Sequence, residues 1–110
     1  MEIISKSREL SKMEQYKLTR GNSTNAKDAV GTTIHPDAWC IYQEVNARGE
    51  NVEILAILDH DVSVYSTMSQ TFKREFDAIV DIMAGDDFKV TIIDGLTNNG
   101  RSFVNCTLAE

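Results

Sequence analysis

Phe72, Phe76, Ile79, Val80 and Met83 stand at offsets 0, 4, 7, 8 and 11, a spacing that gathers five apolar side chains on one face of an α-helix. Ser69 is placed to cap its start and Gly85 to stop it, while Lys73, Arg74, Glu75, Asp77 and Asp81 fall mainly on the opposite side. Elsewhere the apolar pattern has the shorter period of strands. Residues 32–45 carry Trp39, Ile41 and Tyr42, with Pro36 marking an edge-like beginning. Residues 51–59 run Val52-Glu53-Ile54-Leu55-Ala56-Ile57-Leu58, and the missing alternation in the middle predicts burial on both faces. Val62 and Val64 alternate with Ser63 and Tyr65 in a third strand. Phe88, Val90 and Ile92 mark a fourth, and Asn98-Asn99-Gly100 turns the chain into a fifth, where Val104, Cys106 and Leu108 alternate.

Residues 1–28 behave differently. Ser11-Lys12-Met13-Glu14 has the form of a capping box, predicting a two-turn helix over residues 12–19 with Met13, Tyr16 and Lys17 on one side, and Gly21-Asn22-Ser23 ends it. So short a helix needs a surface to pack on, either the rest of the chain or a second copy, which would make a homodimer. Residues 21–28 are polar, without periodicity, and read as a connector.

The division is therefore an N-terminal helical arm and linker, 1–28, and a mainly β domain, 29–110, of order β-β-β-α-β-β. A three-strand meander, one helix and a closing hairpin make the order of a five-stranded OB-type barrel. An SH3-like barrel would lack the long helix, and a ferredoxin-like fold would need a helix directly after its first strand.

Charge separates the same two parts. The arm has six basic and four acidic side chains, a net of +2, and the remaining residues have five and thirteen, a net of −8, giving −6 for the 110-residue chain. An acidic body argues against non-specific binding to duplex DNA, which depends on many Lys and Arg, but leaves room for a local basic groove. No apolar run approaches the ~20 residues of a membrane span. The first residues have neither the apolar core nor the cleavage site of a signal peptide, so a cytoplasmic location is expected. In that setting Cys40 and Cys106, both in strand-like stretches, are expected to be buried free thiols. With His35 and His60 they lack the paired spacing of a zinc site, and no metal or cofactor is assigned. Asp59-His60-Asp61 is read as a solvated turn. With no phosphate loop, no nucleophile elbow and no spaced His–acid pair, catalysis is not expected.

An OB-type barrel takes single strands on its second and third strands, between the loop joining strands 1 and 2 and the loop joining strands 4 and 5. Here those loops carry Arg48 and Arg101. If Val62 and Val64 point inward, Tyr65 points out, and Phe103 faces away from Val104 and Cys106 by the same parity. Aromatic rings stack on bases while Arg and Lys follow phosphates, so Tyr65, Phe103, Arg48 and Arg101 are the candidate contacts. With Trp39 assigned to the core, Tyr42 becomes a further outward ring. Lys73 and Arg74 join the set because positive charge at a helix start opposes the dipole, a placement that phosphate contact would explain.

Ser7-Arg8-Glu9-Leu10 leading into Tyr16-Lys17-Leu18-Thr19, Gly49-Glu50-Asn51-Val52-Glu53-Ile54-Leu55, Thr71-Phe72-Lys73-Arg74-Glu75-Phe76 and Gly100-Arg101-Ser102-Phe103 resemble a family of short single-stranded DNA-binding proteins from phages of Gram-positive bacteria. The resemblance spans nearly the whole chain and implies a role in phage DNA replication or recombination inside the host cell. It implies single-stranded DNA and phage replication proteins as partners, without fixing contact residues. The competing expectation, favoured by the −8 body, is an acidic phage inhibitor that occupies the nucleic-acid site of a host protein.

Overall fold

Leu55, Ala56, Ile57 and Leu58 are all buried, and this four-residue run decides the architecture: it forces cover onto both faces of the strand that contains it. The computed structural model describes all 110 residues. In chain order the elements are β1 (Glu2–Lys6), α1 (Lys12–Thr19), β2 (Thr24–Asn25), one 3-10 turn (Ala26–Asp28), β3 (Thr33–Ile34), β4 (Pro36–Val45), β5 (Asn51–Asp59), β6 (Val64–Thr67), α2 (Gln70–Met83), β7 (Lys89–Leu96) and β8 (Ser102–Ala109). Five strands form one sheet in the order β1-β4-β5-β6-β2, and three form another in the order β3-β7-β8. No helix is long and apolar enough to cross a membrane.

The fold is mainly β with two helices, as expected, and α2 lies between β6 and β7. The strands do not join into one closed five-stranded ladder. The run expected over 32–45 is broken at His35, so that Thr33–Ile34 pairs with β7 while Pro36–Val45 pairs with β5. One stretch of chain thereby serves both sheets. At the opposite side β6 and β8 share no ladder. Ser69 Oγ donates to the Val104 carbonyl across that gap at 3.0 Å, and the 3-10 turn packs against both strands.

The first face of the large sheet carries Leu55 and Ile57 and is covered by α2 and the small sheet. Phe72, Phe76 and Ile79 are buried there with Ile34, Val90, Ile92 and Cys106, and Val80 and Met83 are partly buried beside them. Trp39 belongs to this side, edge-on to Phe76 at 5.3 Å and to Phe88 at 5.8 Å. Ser69 caps α2 by accepting from the Phe72 amide, and Ala84 and Gly85, at φ 48° and 93°, end it in the left-handed region.

The second face carries Ala38, Cys40, Tyr42, Ala56, Leu58 and Val64, and the arm covers it with Leu10 and Leu18. The capping box forms: Glu14 N–H donates to Ser11 Oγ at 3.1 Å and Ser11 N–H donates to the Glu14 carboxylate at 2.8 Å. Arg8 grips the same carboxylate through both guanidinium nitrogens, at 3.0 and 2.8 Å, and reaches Asp37 on β4 at 3.4 Å. This pairing, with the Ser11 amide, holds the Glu14 carboxyl down at about 2 from its usual 4.5. Met13 and Tyr16 stay in solvent, contrary to the expected apolar side, because Leu18 alone among the α1 residues is buried.

Three further details depart from expectation. The arm adds its own edge strand, β1, to the large sheet, and the 21–28 connector contains β2, which runs parallel to β6. The third strand begins at Val64, not Val62: Val62 is exposed in the 59–63 turn at φ 68°. As expected, Cys40 and Cys106 are free and buried; they lie in different clusters, and burial pushes their thiols up to about 11 and about 12.

Candidate nucleic-acid interface

Because both faces of the large sheet are covered, its meander strands offer no open stacking surface. Tyr42, expected outward, is 6% exposed beneath the arm, and burial is the main cause that raises its hydroxyl above the ordinary tyrosine value. Tyr65 faces the α2 side, where it packs half-buried against the larger cluster, and burial is again first among the causes raising its hydroxyl. Val64 and Tyr65 do point to opposite faces, as strand parity predicts, but both of those faces are covered.

The open surface lies instead at the β6–β8 gap and the start of α2. A hollow of about 460 Å³ is lined there by Val30, Met68, Phe103 and Val104, with Lys27 and Asp94 among its polar members. Met68, 56% exposed, also lines a second hollow with Asn51, Glu53, Gln70 and Lys73. Glu53, Gln70 and Lys73 continue into a third, with Ile4, Arg74 and Asp77. The first and second hollows share Met68, and the second and third share Glu53, Gln70 and Lys73, so the three follow one another across the surface as a track. Its cations are Lys27, Lys73 and Arg74, and its acids are Asp94, Glu53 and Asp77.

Local structure explains several of these placements. Gly95 pairs with Phe103 across β7 and β8, and a β-carbon at Gly95 would lie 2.6 Å from Phe103 Cζ. The missing side chain thus lets the ring lie over the strand, with its rim in the hollow. Lys73 extends from the first turn of α2 and its Nζ donates to the Glu53 carbonyl at 3.1 Å, which ties the helix start to β5. Arg48 and Arg101 are exposed in the 46–50 and 97–101 turns. Each turn uses a side-chain acceptor: Asn46 Oδ1 takes the Arg48 and Glu50 amides, and Thr97 Oγ1 takes the Arg101 amide. Phe103, Lys73 and Arg74 of the expected set therefore line the track, Arg101 stands in the turn leading to it, Arg48 occupies a turn outside its lining, and Tyr42 and Tyr65 lie elsewhere.

A second constellation was illegible in the sequence. His35 Nε2 donates to both Asp87 carboxylate oxygens, at 2.7 and 2.8 Å. The His35 and His60 rings stack with centroids 3.8 Å apart, and His60 Nδ1 donates to the His35 carbonyl at 2.8 Å. The three side chains come from the break before β4, the turn after β5 and the connection after α2, and only the folded topology brings those positions together.

Compared with family models, curated proteins and solved structures, the chain matches none.

Proposed function

We propose that β3–β8 and α2 make an OB-type barrel left open along the β6–β8 gap, and that the chain binds single-stranded DNA with little sequence preference along the track beside that gap. The observation that carries this reading is the track itself. Its hollows adjoin, its lining holds the Phe103 ring and the Met68 thioether, and Lys27, Lys73 and Arg74 follow it. A ring can stack on any base, and Lys and Arg meet phosphates, so such a lining binds without reading sequence.

The stacking role assigned to Tyr65 passes to Phe103, which lines the track and is half-buried. Lys27, Lys73 and Arg74 hold phosphates, with Arg101 reaching in from the 97–101 turn. Asp94, Glu53 and Asp77 offset part of that charge, so affinity is modest and strongly reduced by salt. A protein of this type covers single strands during phage replication or recombination without catalytic turnover.

The acidic-inhibitor reading keeps one specific support, the thirteen acids against five bases beyond the arm. Fluorescence anisotropy of labelled oligothymidine at two salt concentrations separates the two readings. Saturable, salt-weakened binding supports the proposal. No binding at micromolar protein in low salt overturns it and favours the inhibitor.

A further inference from the structure

We infer that His35, His60 and Asp87 form a binding site for a divalent transition-metal ion of the zinc class. Their ligand atoms, one nitrogen from each ring and a carboxylate oxygen, all lie within 4.8 Å of one another. Asp37 offers a fourth donor, with its carboxylate 3.8 Å from His60 Nε2. Two imidazoles and one or two carboxylates suit zinc and its neighbours, and a four-coordinate ion bonds such atoms at about 2.0–2.2 Å.

The surroundings prepare the donors. His60 Nδ1 donates to the His35 carbonyl, which fixes its proton there and leaves Nε2 with a free lone pair. Asp59, buried at the end of β5, accepts the His35 amide through Oδ2 at 3.4 Å and the Asp61 amide through Oδ1 at 3.2 Å, bracing both ends of the site. At His35 the ion takes the place of the proton now held between Nε2 and Asp87, and that proton moves through solvent to Nδ1, so that the ring ligates as neutral imidazole. Ligation also turns the stacked rings, now 15° from parallel, so that both nitrogens aim at one point.

The hollow beside these residues is about 390 Å³ and is lined by Asp37, His60, Asp86 and Asp87, with no lysine or arginine, while Arg8 holds Asp37 Oδ2 from outside the lining. It therefore favours a cation and admits water to complete the coordination. An ion here would clamp the start of β4, the β5–β6 turn and the α2–β7 connection. It shares no lining residue with the nucleic-acid track, so its test is independent of that proposal.

The probe is ZnCl2, titrated by calorimetry into the untagged full chain in chelator-free buffer, with Co2+ absorption as a second readout of nitrogen ligation. One ion per chain is expected, with a higher melting temperature in its presence that EDTA reverses. His60→Gln and Asp87→Asn, each checked by its metal-free melt, should weaken Zn2+ binding about tenfold or more, while Asp94→Asn leaves it unchanged. No saturable uptake of Zn2+ overturns the inference. So does uptake that His60→Gln and Asp87→Asn leave at the parental affinity.

Discussion

The two faces of the large sheet are both covered, but by unlike means. On one side α2 and the small sheet bring Phe72, Phe76, Ile34, Val90 and Ile92 onto Leu55 and Ile57, with Trp39 and Phe88 closing the edge. On the other, the arm lays Leu10 and Leu18 over Leu58, Val64 and Tyr42 and over the small side chains of Ala38, Cys40 and Ala56. Burial per residue is larger on the first side, since aromatic and branched side chains remove more apolar area from water than alanine does. The second side relies more on polar fastening: the capping box, the Arg8 fork and the backbone pairing of β1 with β4. The first face is the structural foundation, and the second is a lid that can loosen first.

The substitution with the largest expected effect attacks the stronger face. Phe76 is 3% exposed and meets Phe72, Trp39 and Phe88, so Phe76→Ala should cost about 3–5 kcal/mol and threaten the whole fold. Chemical denaturation measures it. If Phe76→Ala loses less stability than a single change on the arm side, the ranking of the faces is wrong.

Leu18→Ala sharpens the contrast. Leu18 is 2% exposed, and its truncation should cost about 2 kcal/mol, the low end for a buried leucine, because the small residues beneath allow partial collapse. Hydrogen exchange gives the more telling readout: amides of β1 and α1 should lose protection while those of β5 keep theirs. Uniform loss across both faces would mean that the arm and the rest unfold as one unit.

The smallest effect depends on pH. Glu14 has its carboxyl lowered to about 2 from the usual 4.5, chiefly by the Arg8 hydrogen bonds. Its contribution is thus fully present above about 4.5 and disappears as the pH falls through about 2. The parent and Glu14→Gln should differ in melting temperature at neutral pH and converge in acid. A difference that persists unchanged at pH 2 would remove Glu14 from the fastening.

How much of this was visible in the sequence follows from the same contrast. The α2 stripe, its Ser69 cap and the doubly buried β5 run were legible because each is a periodic or local signal. The Ser11 capping box was legible for the same reason, and α1 runs over the predicted residues. The face that α1 covers was not, because Leu10 and Leu18 are too few to set a period, and Met13 and Tyr16 suggested the wrong side. β1, with Ile4 exposed on an edge, shows no alternation to read. Parity alone also cannot show that the arm covers Tyr42 or that Tyr65 packs on the α2 side, and it gives no sign of the β6–β8 gap. Phe103 was found because parity against Cys106 suffices within one hairpin. The His35, His60 and Asp87 group depends on contacts between connections distant in sequence, for which no spacing rule exists.

The central claim is that single-stranded DNA lies along the Phe103–Met68–Lys73 track, and its most direct measurement is oligothymidine affinity against salt for three chains: the parent, Phe103→Ala and Lys73→Ala. Phe103→Ala should weaken binding by about 1–3 kcal/mol with the salt slope unchanged, since stacking releases no counterion. Lys73→Ala should flatten the slope by up to about 0.7. Both variants should melt close to the parent, because neither residue is fully buried. Folded variants that bind with the parent's affinity and the parent's slope would contradict the account.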